Sequence, residues 1–285
     1  MNCQALCPNC HSIKARNNGI RIYWRDISLR IQSRYKSTIV GDKFIFDRIS
    51  SKFQLKLKDR AAAANILAEA LKDLIKKEQE RKDSIVLGIP RGGVIVGDII
   101  ARKLSSSLFD IIIPKKLCAP HSEELAIGAV MEDGTTYLND ILVKELEVSQ
   151  EYIEKEKVDQ ILEIKRRSLL YRRKDYTARE VYNIINGKTV ILVDDGAATG
   201  ATLIAAARWI KKTNNPRSRL IIAVPVAPKE TLNLLKKEAD SIEVITSPST
   251  SNFKSVEQYY QSFEPVTDQQ VIQIMMRKSD YSWLI

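Results

Sequence analysis

The residues best suited to chemistry in this 285-residue chain are two adjacent carboxylates, Asp194 and Asp195, set between an apolar run and a loop of small residues and hydroxyls. The run Val190-Ile191-Leu192-Val193 is short, β-branched and bounded by polar residues, which suits a strand buried inside a parallel sheet. After the acids come Gly196-Ala197-Ala198-Thr199-Gly200-Ala201-Thr202, and a helix is predicted from Leu203 to Ile210. A loop in that place offers backbone N–H groups and the positive end of a helix dipole to an anion. Gly196, Ala197, Ala198, Gly200 and Ala201 let the backbone approach a phosphate closely, and Thr199 and Thr202 add hydroxyl donors. No Gly-Lys-Ser/Thr closes the loop and no Gly-x-Gly-x-x-Gly is present, so the P-loop and the dinucleotide fingerprint are excluded.

Carboxylates beside a phosphate cradle would repel a ligand that was phosphate alone. They make sense if the ligand also carries vicinal hydroxyls, which carboxylates accept from, and a divalent cation. A ribose 5-phosphate unit meets all three demands.

Such a pair must be held at the end of a strand, and the flanking sequence supplies strands. Asp59 is a plausible N-cap for a helix with Ile66, Leu67, Leu71, Leu74 and Ile75 as its apolar stripe. Ile85 to Ile89 then reads as a buried strand. Pro90-Arg91-Gly92-Gly93 turns into a helix reaching about Leu104, and Phe109 to Pro114 reads as the next strand, ending in Lys115 and Lys116. This is a right-handed βαβ unit. The expected fold class is therefore α/β, a doubly wound, mostly parallel sheet with ligands at the carboxyl ends of its strands. Those ends carry Arg91, Gly92 and Gly93, then Lys115 and Lys116, then Asp194 and Asp195. By spacing alone, Pro-x-Gly-Gly is also a common turn, and the two lysines also fit a solvated strand end.

Ala126 to Leu138 reads as a β-hairpin around Asp133-Gly134, preceded by a candidate lid at Leu117–Glu124 that contains His121. A long charged helix is predicted from Ser149 to Tyr171, with Ile153, Val158, Ile161, Leu162 and Leu169 as apolar positions. The basic cluster at its end (Lys165, Arg166, Arg167, Arg172, Arg173, Lys174) suits a solvated face at a helix C-terminus, a subunit contact, RNA or a substrate phosphate. Further strands are predicted at Arg219–Val226 and Ile242–Thr246, and helices at Pro228–Ala239 and from Thr267. The aromatic segment Phe253–Phe263 suits either stacking on a planar ligand or packing on the sheet edge.

Net charge is +10, but residues 1–60 hold thirteen Lys/Arg against four Asp/Glu, while the remainder holds 32 against 31. The excess is local, so the charge does not make the whole chain a nucleic-acid binder. No apolar run approaches a bilayer span and no secretory leader is apparent, so a cytoplasmic location without membrane partners is the default expectation.

Cys3, Cys7, Cys10 and His11 crowd the N-terminus with Cys-x-x-Cys spacing. They are a candidate zinc set, although four ligands within nine residues is tight for one tetrahedral ion. The segment also resembles the closing half of an HNH endonuclease motif, whose first half does not precede it here, so nuclease chemistry is not expected. A remnant, or a start codon upstream of the true one, is the preferred reading; nucleic-acid contact is the other. The expected division is a basic, poorly ordered extension at 1–52, a domain at 53–276 and a tail at 277–285.

The thirteen residues Val190–Thr202 resemble the 5-phosphoribosyl-1-pyrophosphate (PRPP) signature of the type I phosphoribosyltransferases: apolar strand, acidic pair, small residues, Thr-Gly-x-Thr. More widely, residues 53 to about 275 resemble a bacterial and archaeal group of phosphoribosyltransferase domains. The shared residues are Gly88-Ile89-Pro90-Arg91-Gly92-Gly93, Lys115-Lys116-Leu117-x-Ala119-Pro120 and Glu124-x-Ala126-Ile127-Gly128-Ala129-Val130. The resemblance implies the type I fold with a hairpin or lid insertion and a small hood. It implies PRPP as donor, Mg²⁺ as cofactor, a nitrogen acceptor such as a nucleobase, release of pyrophosphate, and a homo-oligomer. It casts Asp194, Asp195, Arg91 and Lys115 as catalytic, with the two acids reaching the metal through PRPP. Gly92, Gly93, Ala198, Thr199, Gly200, Ala201 and Thr202 become substrate-binding. One departure stands out: 6-oxopurine enzymes carry Asp at the position of Ala198, which argues against their base chemistry and leaves the proton acceptor unassigned. The rival reading is a PRPP- or nucleotide-sensing regulator that has lost catalysis and contacts nucleic acid.

Overall fold

The computed structural model describes residues 56–75, 83–105, 108–172, 178–213 and 218–279. Five parallel strands form the central sheet: β1 (Ser84–Gly88), β2 (Leu108–Ile111), β6 (Thr189–Val193), β7 (Leu220–Val226) and β8 (Ser241–Thr246), in the order β2-β1-β6-β7-β8. β1 and β7 are buried along their whole length, as mainly apolar runs in a parallel sheet should be. Helices α1 (Arg60–Leu74) and α2 (Gly92–Leu104) cover one face, where Leu67, Leu71, Val94 and Ile100 meet Val86, Ile191 and Ile221. Helices α5 (Ala178–Ile185), α6 (Ala201–Thr213) and α7 (Lys229–Leu235) cover the other, where Ile185, Leu203, Ile210 and Leu235 meet Ile85, Leu192 and Ile222. The sheet is doubly wound, as the strand and helix pattern predicts.

β1 and β6 lie side by side with Gly88 opposite Val193, yet the chain leaves them toward opposite edges of the sheet. That is the topological switch point, where the following turns diverge and leave a crevice. The turn after β1 carries Arg91, Gly92 and Gly93; the turn after β6 carries Asp194 and Asp195.

A second, antiparallel sheet is built from β3 (Lys115–Ala119), β4 (Ser122–Val130) and β5 (Thr136–Leu138). The predicted hairpin at Asp133-Gly134 is the β4–β5 turn. Gly134 sits at φ 83°, and both Asp133 carboxylate oxygens accept from Thr135. One expectation needs correction nearby. The strand expected at Phe109–Pro114 ends at Ile111, because Pro114 has no N–H to continue a ladder, and Lys115 opens a strand of the other sheet. The candidate lid Leu117–Glu124 is built as the β3–β4 hairpin, with His121 exposed at its tip at φ 62°.

α3 (Asp140–Glu145) leads to α4 (Gln150–Tyr171), which Ser149 caps by accepting from the Tyr152 N–H. α4 buries Ile153, Ile164, Ser168 and Tyr171, whereas Val158, Leu162 and Leu169, expected on its apolar stripe, are 57%, 59% and 66% exposed. The apolar residues occupy two helical phases, and only one phase faces the domain. The basic cluster is divided as well. Arg166 and Arg167 pair with Glu163, while Arg172 turns inward to Asp110 and the Ile111 carbonyl. The last helix, α8 (Asp268–Ser279), runs through the expected boundary at 276/277. Cys3, Cys7, Cys10, His11 and the 1–52 extension lie outside the described residues, as do Arg173 and Lys174.

Candidate active site

Asp194 follows the last buried residue of β6, and its Oδ1 accepts from the Asp195 N–H at 2.8 Å. The turn after β1 presses against this pair. A Cβ at Gly93 would lie 2.7 Å from the Val193 carbonyl oxygen and 3.1 Å from Asp194 Oδ1, and a Cβ at Gly92 would collide with the Asp195 carboxylate. The Gly-Gly dipeptide is therefore what lets the two strand ends share one crevice.

Asp195 is held from two directions. Arg60, the first residue of α1, donates from Nε to Asp195 Oδ2 at 2.7 Å and from Nη1 to the Glu264 carbonyl at 2.7 Å. Its guanidinium lies 3.7 Å from the centre of the Phe263 ring, which packs on Tyr260 at 4.8 Å. The buried Tyr260 hydroxyl donates to the Asp195 carbonyl at 2.7 Å. A short backbone ladder locks these segments together: Leu57 N–H to Tyr259 O at 2.8 Å, Gln261 N–H to Leu57 O at 2.7 Å and Ser262 N–H to Lys58 O at 3.0 Å. The aromatic segment Phe253–Phe263 thus packs on the acidic pair and its loop, with Val256 filling the space above Gly196.

Beyond the acids, the loop to α6 is tied down at Ala197, whose N–H donates to the Val226 carbonyl at 2.8 Å, and at Ala198, whose carbonyl accepts from the Thr231 hydroxyl at 2.5 Å. Ala198 and Thr199 are exposed, and Gly200 takes φ 75° immediately before the helix. An exposed loop of small residues at the start of a thirteen-residue helix is suited to an anion.

These features belong to a recognised family. A model of the phosphoribosyl transferase domain matches residues 54–262. The chain belongs to the phosphoribosyl transferase domain family. It is 32% identical over 219 residues to the "Putative phosphoribosyl transferase Rv0571c" of Mycobacterium tuberculosis, covering 77% of this chain and 46% of the relative. The chain therefore spans about half the length of the curated relatives it matches. Among solved structures, TT1426 from Thermus thermophilus is similar with a TM-score of 0.61 and 36% identity, covering 79% of this chain and 99% of that one.

Within this phosphoribosyl transferase fold the electrostatics are uneven. Burial pushes the Asp194 carboxyl well above the usual range and the neighbouring Asp195 charge adds to it; the Asp195 N–H and Lys116 pull the other way. Burial also raises the Tyr260 phenol, again reinforced by Asp195. Lys115 has its ammonium pKa lowered by burial and then by Arg167, with Glu163 opposing. Lys115 thus faces α4, and it is Lys116 whose charge reaches Asp194. Adjacent strand residues point to opposite faces, so one residue of register decides between them. Arg91 acts electrostatically on Tyr171, whose hydroxyl donates to Asp268 at 2.5 Å and whose pKa is pushed up to about 12 by burial and that hydrogen bond.

The structure accordingly brings Arg91, Gly92, Gly93, Asp194, Asp195 and the 198–202 loop to one crevice. Sequence reasoning missed Arg60 and Tyr260, and of the two lysines at the strand end it chose Lys115 where the structure turns Lys116 toward Asp194. For Arg60 a signal existed: a cation in the first turn of a helix opposes the dipole, so an arginine directly after the N-cap Asp59 points to an acidic partner elsewhere. Among the described residues no group of three or more metal-ligating side chains occurs. None of their helices is long and apolar enough to cross a membrane.

Proposed function

We propose that this protein transfers the 5-phosphoribosyl group of PRPP to a nitrogen acceptor, such as a nucleobase, with release of pyrophosphate. The observation that carries the reading is the apposition of the Gly92-Gly93 turn to Asp194-Asp195 at the switch point, with the 198–202 loop opening beside them. Asp195 and Asp194 accept from the ribose hydroxyls. Residues 198–202 take the 5-phosphate on backbone N–H groups and the Thr199 and Thr202 hydroxyls. Arg91 and the Gly92-Gly93 amides take the pyrophosphate, and Lys116, rather than the Lys115 expected from sequence, is the lysine whose charge lies toward Asp194.

In the reaction the C1–O bond to pyrophosphate breaks, the electron pair leaves with the pyrophosphate oxygen, and a nitrogen lone pair forms the new bond at C1. An oxocarbenium-like state gains most from fixed position, from charges matched to the departing pyrophosphate and from exclusion of water. The acid pair fits Mg²⁺ in one manner: two carboxylates, with no third ligating side chain grouped with them among the described residues, suit an ion held largely by substrate oxygens. Mg²⁺ bound in this way would offset phosphate charge. Arg60 is part of the same arrangement, because it aims the Asp195 carboxylate and balances a second negative charge next to Asp194.

The test is incubation with PRPP, Mg²⁺ and a panel of purine, pyrimidine and other nitrogen acceptors, read as pyrophosphate release. Asp194→Asn combined with Asp195→Asn should abolish both turnover and PRPP binding while the circular dichroism spectrum is kept. Turnover retained in that double variant overturns the assignment.

A further inference from the structure

Arg60 stands between the two halves of the crevice. Its Nε donates to Asp195 Oδ2 at 2.7 Å, and the same nitrogen lies 3.0 Å from the place a Cβ on Gly92 would take. One edge of the guanidinium therefore borders both the carboxylate assigned to the ribose hydroxyls and the turn whose amides are assigned to pyrophosphate. The absence of a side chain at Gly92 leaves that turn open to an anion on the arginine side. The ion pair is mostly shielded from solvent. Opening it without a new partner for each member would strand two poorly hydrated charges.

PRPP carries both new partners: its ribose hydroxyls donate to a carboxylate, and its pyrophosphate accepts from a guanidinium. Resting on the transfer reading above, we infer that Arg60 is a direct pyrophosphate ligand, which exchanges Asp195 for the diphosphate as the ribose hydroxyls take over the carboxylate. Only one hydrogen bond has to change partner. Arg60 Nη1 stays on the Glu264 carbonyl at 2.7 Å, and the guanidinium stays on the Phe263 ring at 3.7 Å. Asp195 stays anchored through its backbone, whose carbonyl accepts from the Tyr260 hydroxyl at 2.7 Å. The planar fork of an arginine matches phosphate oxygens as well as it matches a carboxylate. Placed there, it meets negative charge that grows on the diphosphate as the C1–O bond breaks.

The exchange has a thermodynamic signature. A ligand that takes Asp195 releases Arg60 for a diphosphate, and a diphosphate that takes Arg60 releases Asp195. Each ligand must then strengthen the other by the same factor. A brace that only holds the acidic pair in place produces no such coupling, and its removal weakens both ligands together.

The test is calorimetry of the full chain in Mg²⁺ buffer with two separate probes, ribose 5-phosphate and inorganic pyrophosphate, each titrated alone and in the presence of the other. In the parent each probe should tighten the other about fivefold or more. In Arg60→Gln the coupling should disappear and pyrophosphate should bind about tenfold more weakly, while ribose 5-phosphate binds no less tightly than in the parent. Circular dichroism verifies the fold of the variant. Should the glutamine variant unfold, Arg60→Lys carries the same test: it keeps the charge without the fork, so reduced coupling is expected and undiminished coupling overturns the inference. A folded Arg60→Gln that keeps the coupling, or that loses both probes together, overturns it as well. So does a parent that binds both probes without coupling, which leaves the transfer reading standing. A parent that binds neither probe overturns the transfer reading itself, and this inference with it.

Discussion

Replacing Arg60 with alanine probes the joint between α1 and the acidic pair. The side chain makes a charge-assisted hydrogen bond to Asp195 at 2.7 Å, a second bond to the Glu264 carbonyl at 2.7 Å and a stack on Phe263 at 3.7 Å. The ion pair is mostly shielded, with the two side chains 11% and 17% exposed. A bond of the first kind contributes roughly 1.5–3 kcal/mol and one to a carbonyl about 1 kcal/mol; a cation on an aromatic face contributes roughly 0.5–1 kcal/mol. These contributions share one guanidinium and do not add in full. Removing a cation from the first helical turn returns roughly 0.3–1 kcal/mol. The net loss expected for Arg60→Ala is about 3 kcal/mol, or roughly 6–12 °C in Tm for a domain of this size. Thermal unfolding with and without PRPP and Mg²⁺ gives both readouts: a lowered midpoint, and a ligand-induced rise smaller than that of the unaltered protein. Arg60→Lys, which keeps the charge and loses the planar fork, should fall between. A midpoint within about 1 °C of the parent would show that the clasp contributes nothing, and the reasoning would fail.

Asp194→Asn should stabilise the protein without ligand while removing its response to PRPP. A carboxyl pushed up in the folded state makes the native form bind more protons, so stability falls as pH rises above the ordinary 3.8. The asparagine variant should gain over the parent as pH rises, because it removes the cost of burying the charge and then the repulsion from Asp195, and a gap flat with pH would refute this. Gly92→Ala places a methyl group against the Asp195 carboxylate; a loss of about 1–3 kcal/mol and of PRPP binding is expected by calorimetry. Glu163, held down to about 2 by Arg166, then by Arg167, contributes stability that is present above its ordinary 4.5 and lost as pH falls toward 2. Because these are partly solvated contacts within one helix, the contribution is about 1 kcal/mol, and Glu163→Gln should flatten the unfolding free energy across that acid window.

What was legible from sequence lay in contiguous stretches. Val190–Thr202 encodes strand, acids, loop and helix start in one run, and the Gly-Gly turn after β1 was readable as the facing element because both follow buried strands. What was not legible depended on partners far along the chain or on phase. Arg60 meets Asp195 across 135 positions, and no local pattern names that partner. Lys115 and Lys116 differ by one residue, and only the placement of β3 in the antiparallel sheet decides which faces Asp194. On α4 composition announced a helix, but Val158, Leu162 and Leu169 lie in a phase that the domain does not cover.

The ladder between residues 57–58 and 259–262 limits how far the protein can be trimmed. The start of α1 and the segment just before α8 meet at the candidate site, so trimming into either one acts on Asp195. A fragment ending at residue 262, where the family match stops, would lack Phe263 and the Glu264 carbonyl, and Arg60 would lose its platform. A minimal expression unit must therefore begin before Leu57 and reach through α8, whose Val271 and Ile274 are buried in the same core.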